Sequence, residues 1–351
     1  MSSSRLNKEE WRDIESRFQK TLGSWKGKLL SVGGRLVLIN SVLSSLPMYM
    51  MSFLRVPKGI LKRLDYYRSR FFWQSVEHKK KYRLARWGIL CRPKCVGGLG
   101  ILNLQVQNIC LLSRWFFRLL NERGAWQEMV KRKYLKSKSL TQVTKQPGDS
   151  QFWSGLMDIK EQVLSRGRFE VQNGAQARFW EDVWVGNESL RKSFPHLYHI
   201  ARKKQVSVAE VLGSVPLNIS FRSLTGERLI RWHSLVERVM AVNLTEQEDS
   251  FLWDLNKHKS FTVQSMYKHI MLRDGLRISL GLWKLKLPLK IKVFLWNLRQ
   301  GVVLTKDNLS KRRWKGSTKC CFCNSKETIQ HLFLIVTWLG CVGEWCRFAL
   351  A

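Results

Sequence analysis

Apolar side chains recur at helical spacing through the first part of the chain. Trp11, Ile14, Phe18 and Trp25 line one face of a first amphipathic helix, with Asn7 placed to cap it and Glu10 to reach back to the cap. Ser31-Val32-Gly33-Gly34-Arg35 is expected to interrupt that pattern. Leu36, Ile39, Val42, Leu43 and Leu46 then predict a second helix, which Pro47 should kink or end. After Pro57, the positions Ile60, Leu64, Tyr67 and Phe71 predict a third helix. Its other faces carry Lys62, Arg63, Arg68 and Arg70, so the stripe is read as core and the basic faces as candidates for function. Gly97-Gly98-Leu99-Gly100 reads as a tight turn before an apolar helix over 102–120. It lacks the spacing of a dinucleotide or phosphate loop.

The pattern changes after a polar loop at 134–150. Phe169-Glu170-Val171-Gln172 and the alternating run Ala177-Arg178-Phe179-Trp180-Glu181-Asp182-Val183-Trp184 predict a β-hairpin. Trp180 and Trp184 are read as core. Asp249-Ser250-Phe251-Leu252-Trp253 and Ser260-Phe261-Thr262-Val263 predict a second short hairpin, followed by a helix over 265–272. The fold class is therefore mainly α with small β-hairpins (α+β). It divides into a helical region 1–145, a mixed α/β connection segment 146–258 and a helical zinc-knuckle-like module 259–351.

Charge narrows the list of partners. The 351 residues contain 61 Lys+Arg against 26 Asp+Glu, a formal net charge of +35. A surface of that sign repels itself unless a polyanion is near, so nucleic acid is the expected partner and a membrane surface the runner-up. No small-molecule substrate is implied. The uncharged run 36–54 is long enough to raise a membrane span, but Asn40, Ser41, Ser44, Ser45, Pro47 and Ser52 interrupt its apolarity. A buried pair of helices is the better reading. The start of the sequence shows no apolar core of a secretory signal, and eight cysteines in a chain this long do not make a disulfide framework. A nuclear or cytoplasmic protein, not a secreted one, is expected.

The densest chemistry lies in 283–345. Cys320 and Cys323 form a Cys-x2-Cys pair, and His331 follows. These three donors make part of a tetrahedral zinc set, for which Cys341, or less readily Cys346, is the candidate fourth ligand and Cys321 an alternative in the first pair. Ahead of them, Lys284, Lys286, Lys290, Lys292, Arg299, Lys311, Arg312, Arg313 and Lys315 alternate with Trp283, Phe294, Trp296 and Trp314. Lysines and arginines neutralise phosphates while exposed rings such as Trp314 stack on bases, so sequence-independent binding of RNA or DNA is expected. The competing reading is a helix that buries its aromatics and solvates its lysines, and Phe294 and Trp296 are expected to do so.

The same residues resemble a known family. Trp283-Lys284, Pro288, Lys290, Phe294, Trp296, Asp307-Asn308-Leu309, Lys311-Arg312, Trp314, Cys320, Cys323, Glu327-Thr328 and His331-Leu332-Phe333 match the zinc-binding module near the C-terminal end of reverse transcriptases from plant non-LTR (LINE-type) retroelements. Further matches run along the chain: Trp25-Lys26, Gly33-Gly34-Arg35, Ser41-Val42-Leu43, Pro47, Tyr49, Gly97-Gly98-Leu99-Gly100, Phe179-Trp180, Trp184, Phe194-Pro195, Asp249, Trp253 and Phe261-Thr262-Val263. The resemblance implies a thumb-like region following the polymerase palm in 1–145 and a reverse transcriptase zinc-binding domain in 259–351. It also implies zinc as cofactor, with the family's last cysteine replaced by Val336. The family polymerase uses adjacent aspartates to hold its metal ions, and no Asp-Asp pair occurs in this sequence. With palm and ribonuclease H domain both expected to be absent, the chain reads as a non-catalytic nucleic-acid binder. The rival reading is a recruited or decayed retroelement product acting only as a protein-interaction scaffold.

Overall fold

The computed structural model describes residues 8–24, 29–73, 82–136, 138–213, 217–272, 281–321, 323 and 325–335. In chain order the elements are α1 (Lys8–Ser24), α2 (Val32–Leu38), α3 (Met48–Phe53), α4 (Lys58–Trp73), α5 (Trp87–Leu90), α6 (Leu104–Asn121), α7 (Ala125–Tyr134) and α8 (Gln151–Leu164). There follow β1 (Gly167–Glu170), α9 (Leu190–Ser193), α10 (Pro195–Ile200), α11 (Val208–Leu212), α12 (Glu227–Met240), β2 (Ser250–Trp253), α13 (Val263–Met271), α14 (Leu289–Arg299) and α15 (Lys306–Ser310). Single π-helical turns occur at Ile39–Leu43 and His331–Ile335. Among the described residues the protein is mainly helical with one small antiparallel sheet, the class that the hydrophobic pattern predicts. Among the described residues no helix is long and apolar enough to cross a membrane.

The chain divides into two compact units, described separately. Unit I comprises Met1–Arg5, Met51–Arg55 and Gln107–Ile270; unit II comprises Leu6–Met50, Val56–Val106 and Met271–Ala351.

Unit II is built on the apolar faces of α1, α2, α4 and α14. Trp11, Ile14 and Phe18 of α1 are buried, as are Leu36 of α2 and Leu64 and Phe72 of α4. Asn7 and Trp25, assigned to the first helix on sequence grounds, lie outside the described residues. The stretch expected to interrupt the helices instead starts one. Ser31 caps α2, its hydroxyl accepting from the Gly34 N–H at 3.1 Å, and Gly33 and Gly34 form the first turn. Gly33 is glycine for a spatial reason, because a Cβ there would stand 2.9 Å from the Lys290 backbone nitrogen where α14 packs on α2. The uncharged run forms short helices on either side of Pro47, and Ile39 and Leu43, in the π turn that follows α2, are fully buried.

One expectation about α4 is overturned. Arg68 was read as part of an exposed basic face, but it is fully buried. Its guanidinium donates to Asp65 at 2.8 Å, to the Ser44 hydroxyl at 3.0 Å and to the Leu102 carbonyl at 2.7 Å. A buried cation persists only when its donors are satisfied, and here it ties three chain segments together. The glycine cluster is the tight turn expected: Gly97 has a φ of +83°, and a Cβ at Gly98 would collide with the Arg92 carbonyl. The Gly97 carbonyl accepts from the indole N–H of Trp296 at 2.8 Å, which anchors α14.

Unit I contains the sheet, and its pairing differs from the local hairpins expected. β1 pairs antiparallel with β2, Phe169 opposite Phe251, across about eighty residues of chain. The run after β1 does not return as a strand. One backbone bond joins it to β1, from Phe169 N–H to the Val183 carbonyl at 2.7 Å, and its first part meets 206–208, with Phe179 N–H donating to the Val206 carbonyl at 2.9 Å and Val208 N–H to the Ala177 carbonyl at 3.0 Å. Alternation in that run reflects a different device. Arg178, almost fully buried, donates to Asp182 at 2.8 Å, Glu181 at 2.7 Å and Glu161 at 3.0 Å, while Phe179 and Trp180 turn into the core. Burial alone would lower the Arg178 pKa, yet its bonds with Asp182 and Glu161 outweigh burial and raise it. Asp249 fixes the sheet's edge. Its carboxylate accepts backbone N–H bonds from Gln172, Gly174 and Gln176 at 2.8, 2.8 and 2.9 Å.

Candidate metal centre and nucleic-acid interface

The knuckle that carries Cys320 and Cys323 is a folded-back loop. Lys319 and Lys326 form an antiparallel bridge, Cys320 N–H donates to the Ser325 carbonyl at 2.8 Å, and Glu327 N–H to the Thr318 carbonyl at 2.9 Å. Glu327 and Thr328 then position what flanks the loop. The Glu327 carboxylate accepts from the Lys306 N–H at 2.9 Å, closing the N-terminus of α15. The Thr328 hydroxyl accepts from the His331 N–H at 3.1 Å and so starts the π turn that presents the imidazole.

This arrangement brings three predicted ligands together. The donor atoms of Cys320, Cys323 and His331 all lie within 4.8 Å of one another, and Cys323 Sγ stands 3.1 Å from His331 Nε2. In a tetrahedral zinc site with Zn–S near 2.3 Å and Zn–N near 2.0 Å, ligand atoms are separated by about 3.5–3.8 Å. The three side chains therefore fit a zinc ion with little adjustment, and they form a cluster that could hold a metal through three of four ligands. Hydrogen bonds from the backbone and hydroxyl of Ser325 hold the Cys323 thiol below its ordinary pKa, the direction that favours the metal-binding thiolate. Burial does the reverse to Cys91 and Cys110, pushing both up to about 12, so these are packing residues. Cys321, the alternative in the first pair, points elsewhere and lies 3.0 Å from Lys306 Nζ. Cys341, Cys346 and Val336 lie outside the described residues.

The basic positions fare unequally. Lys284, Lys286, Lys290, Arg313 and Lys315 are exposed, and Trp314 is exposed to 38%. Lys311 is exposed but paired with Asp307 at 3.3 Å and with the Asn308 amide oxygen at 3.1 Å. Lys292 and Arg299 are half-buried, and Lys292 donates to the Trp283 carbonyl at 3.2 Å. Arg312 is spent on structure, donating to the carbonyls of Arg83 at 3.2 Å and Leu84 at 3.1 Å. Of the two aromatics expected inside, Trp296 is fully buried while Phe294 is 38% exposed with its ring against Phe333 at 5.7 Å. Phe294 lies one turn after Lys290 and Ile291, both exposed, and so shares their outward side of α14. Sequence reasoning passed over Tyr66, Tyr82 and Arg83: Arg312 meets Tyr82 and Arg83 within unit II, and Arg83 meets Tyr66. No local pattern marks them, because their neighbours come from distant segments.

Comparison with known proteins accords with this geometry. Residues 261–339 match the family model described as zinc-binding in reverse transcriptase. The chain is 28% identical over 333 residues to an Arabidopsis thaliana protein provisionally named a ribonuclease H protein, covering 91% of this chain and 53% of that one. It is 29% identical over 148 residues to an uncharacterised mitochondrial protein of the same plant, covering 41% of this chain and 96% of the relative. The chain thus spans about half the length of the first of these relatives. By class, the chain is similar to proteins of the retroelement reverse transcriptase type. Its particular signature is the reverse transcriptase zinc-binding domain at 261–339, within which Cys320, Cys323 and His331 fall.

Proposed function

We propose that the chain is a non-catalytic part of a LINE-type reverse transcriptase that holds RNA or DNA without reading its sequence. The observation that carries this reading is the unbroken basic character of 281–306. It contains five lysines, one arginine and no acidic residue, with Lys284, Lys286 and Lys290 exposed. Lys290, exposed in the first turn of α14, opposes the helix macrodipole at a cost of roughly 0.3–1 kcal/mol, so folding does not explain it. A phosphate backbone would.

In this reading the zinc ion clasps the knuckle, with Cys341 as fourth ligand. When bound it would supply cross-linking rather than chemistry. The segments 1–145, 146–258 and 259–351 serve as thumb-like region, connection and zinc-binding domain, in a nuclear or cytoplasmic protein. Non-catalytic status rests on the lack of adjacent aspartates anywhere in the sequence. Template-primed nucleotide incorporation by the purified chain would overturn that part.

The binding reading is tested by fluorescence anisotropy with labelled RNA and DNA of mixed sequence. We expect binding at 50 mM salt that does not depend on sequence and weakens by about tenfold or more at 200 mM. No binding at 50 mM would refute it and leave the protein-scaffold reading in its place.

A further inference from the structure

We propose that unit II carries a stacking platform for single-stranded nucleic acid, centred on Tyr66 and Tyr82. The inference rests on the nucleic-acid reading above and adds the strand state of the ligand and the residues that select it. The platform is assembled from three segments distant in sequence. Tyr66 lies on α4, Tyr82 and Arg83 precede α5, and Arg312 follows α15. The Arg83 guanidinium lies over the Tyr66 ring at 5.3 Å, and that of Arg312 over the Tyr82 ring at 5.5 Å. The two pairs are interlocked, because Arg312 also donates to the Arg83 carbonyl at 3.2 Å. The result is two ring–cation pairs held together through Arg312.

Two features distinguish these pairs from ordinary packing. The rings remain open: Tyr66 is 47% exposed and Tyr82 45%, with one guanidinium over each. The charge around them is also one-sided. Residues 82–106 hold three arginines and one lysine with no acidic residue, and Asp65 beside Tyr66 is committed to the buried Arg68. An accessible ring accepts a base on its face; the Arg83 guanidinium beside Tyr66 can reach a phosphate, while Arg312, held by the Arg83 and Leu84 carbonyls, fixes the Tyr82 ring in place. Duplex bases already stack on each other and cannot use such a ring. The platform therefore selects unpaired strands, whereas the lysines of 284–290 hold either form.

The test compares a labelled single-stranded RNA, the same sequence as single-stranded DNA, and the blunt DNA duplex, each titrated with the full chain by anisotropy at one salt concentration. Wild type is expected to bind both single strands more tightly than duplex. The double variant Tyr66→Ala/Tyr82→Ala is expected to lose about tenfold or more in single-strand affinity while duplex affinity stays within about twofold. Tyr66→Phe/Tyr82→Phe, which keeps the rings, should behave as wild type. Independently of any variant, photocrosslinking wild type to 5-iodouracil oligonucleotides and mapping the adducts should identify Tyr66 or Tyr82. Binding with adducts only elsewhere, or equal loss of single strand and duplex in a folded alanine variant, overturns the platform and leaves the general binding intact. Absence of binding to all three probes overturns both.

Discussion

His331 reaches Cys323 because residues with no metal chemistry of their own put it there. Thr328 caps the turn that aims the imidazole, and Ser325 hydrogen-bonds the Cys323 thiol. Three donors at these separations are a complete set for an open zinc site and an incomplete one for a closed structural site. The difference is measurable one residue at a time. Wild type refolded with zinc and dialysed is expected to retain about one ion per chain by elemental analysis, and Cys323→Ser to retain almost none. Cys341→Ser should weaken zinc by at least about tenfold in a chelator competition, since each thiolate deepens the metal's hold. If Cys341→Ser competes as wild type does, Cys341 is not the ligand and water or another group completes the shell.

At the scale of elements, what was legible in the sequence was periodicity, and what was not was partnership. The buried stripe Trp11, Ile14 and Phe18 could be read directly, because a helix face repeats within a few residues. The strands around Phe169 and Phe251 could also be located, but alternation reports only that a strand has two faces. It does not say which strand lies alongside, and here the partner is far along the chain. Likewise Cys-x2-Cys and His331 were visible as spacing, whereas Tyr66, Tyr82 and Arg83 acquire meaning only when Arg312 arrives from elsewhere. Gly33 and Gly34 show the same limit: two adjacent glycines suggested a break, but both lie inside α2. Their roles separate on contact. Gly33→Ala pushes a methyl against the α14 backbone and is expected to destabilise unit II by about 1–3 kcal/mol. Gly34→Ala meets nothing closer than 3.7 Å and should be neutral or stabilising by roughly 0.5–1 kcal/mol, since alanine is the better helix former. Thermal denaturation of the two variants, followed by circular dichroism, decides the matter; a Gly33→Ala midpoint at or above that of Gly34→Ala would remove the close approach as an explanation.

Across the whole molecule the positive charge is unevenly held. The sequence of unit II contains 34 Lys+Arg and 10 Asp+Glu, a net of +24, against 27 and 16, a net of +11, in unit I, which is nearly the same length. If nucleic acid answered only to the total field, removing three cations anywhere would have the same effect. If it is held by particular lysines, position matters. Lys284→Ala/Lys286→Ala/Lys290→Ala removes three exposed charges from unit II, and Arg202→Ala/Lys203→Ala/Arg228→Ala removes three exposed charges from unit I, so the two variants carry equal net charge. Each lost phosphate contact flattens the plot of log affinity against log salt by about 0.7 for a single strand. The unit II variant is therefore expected to lose about 2 from that slope, and the unit I variant to change by less than about 0.5. Equal changes in both would mean that the chain binds through its overall charge, and the basic segment ahead of the zinc knuckle would lose its claim to be the interface.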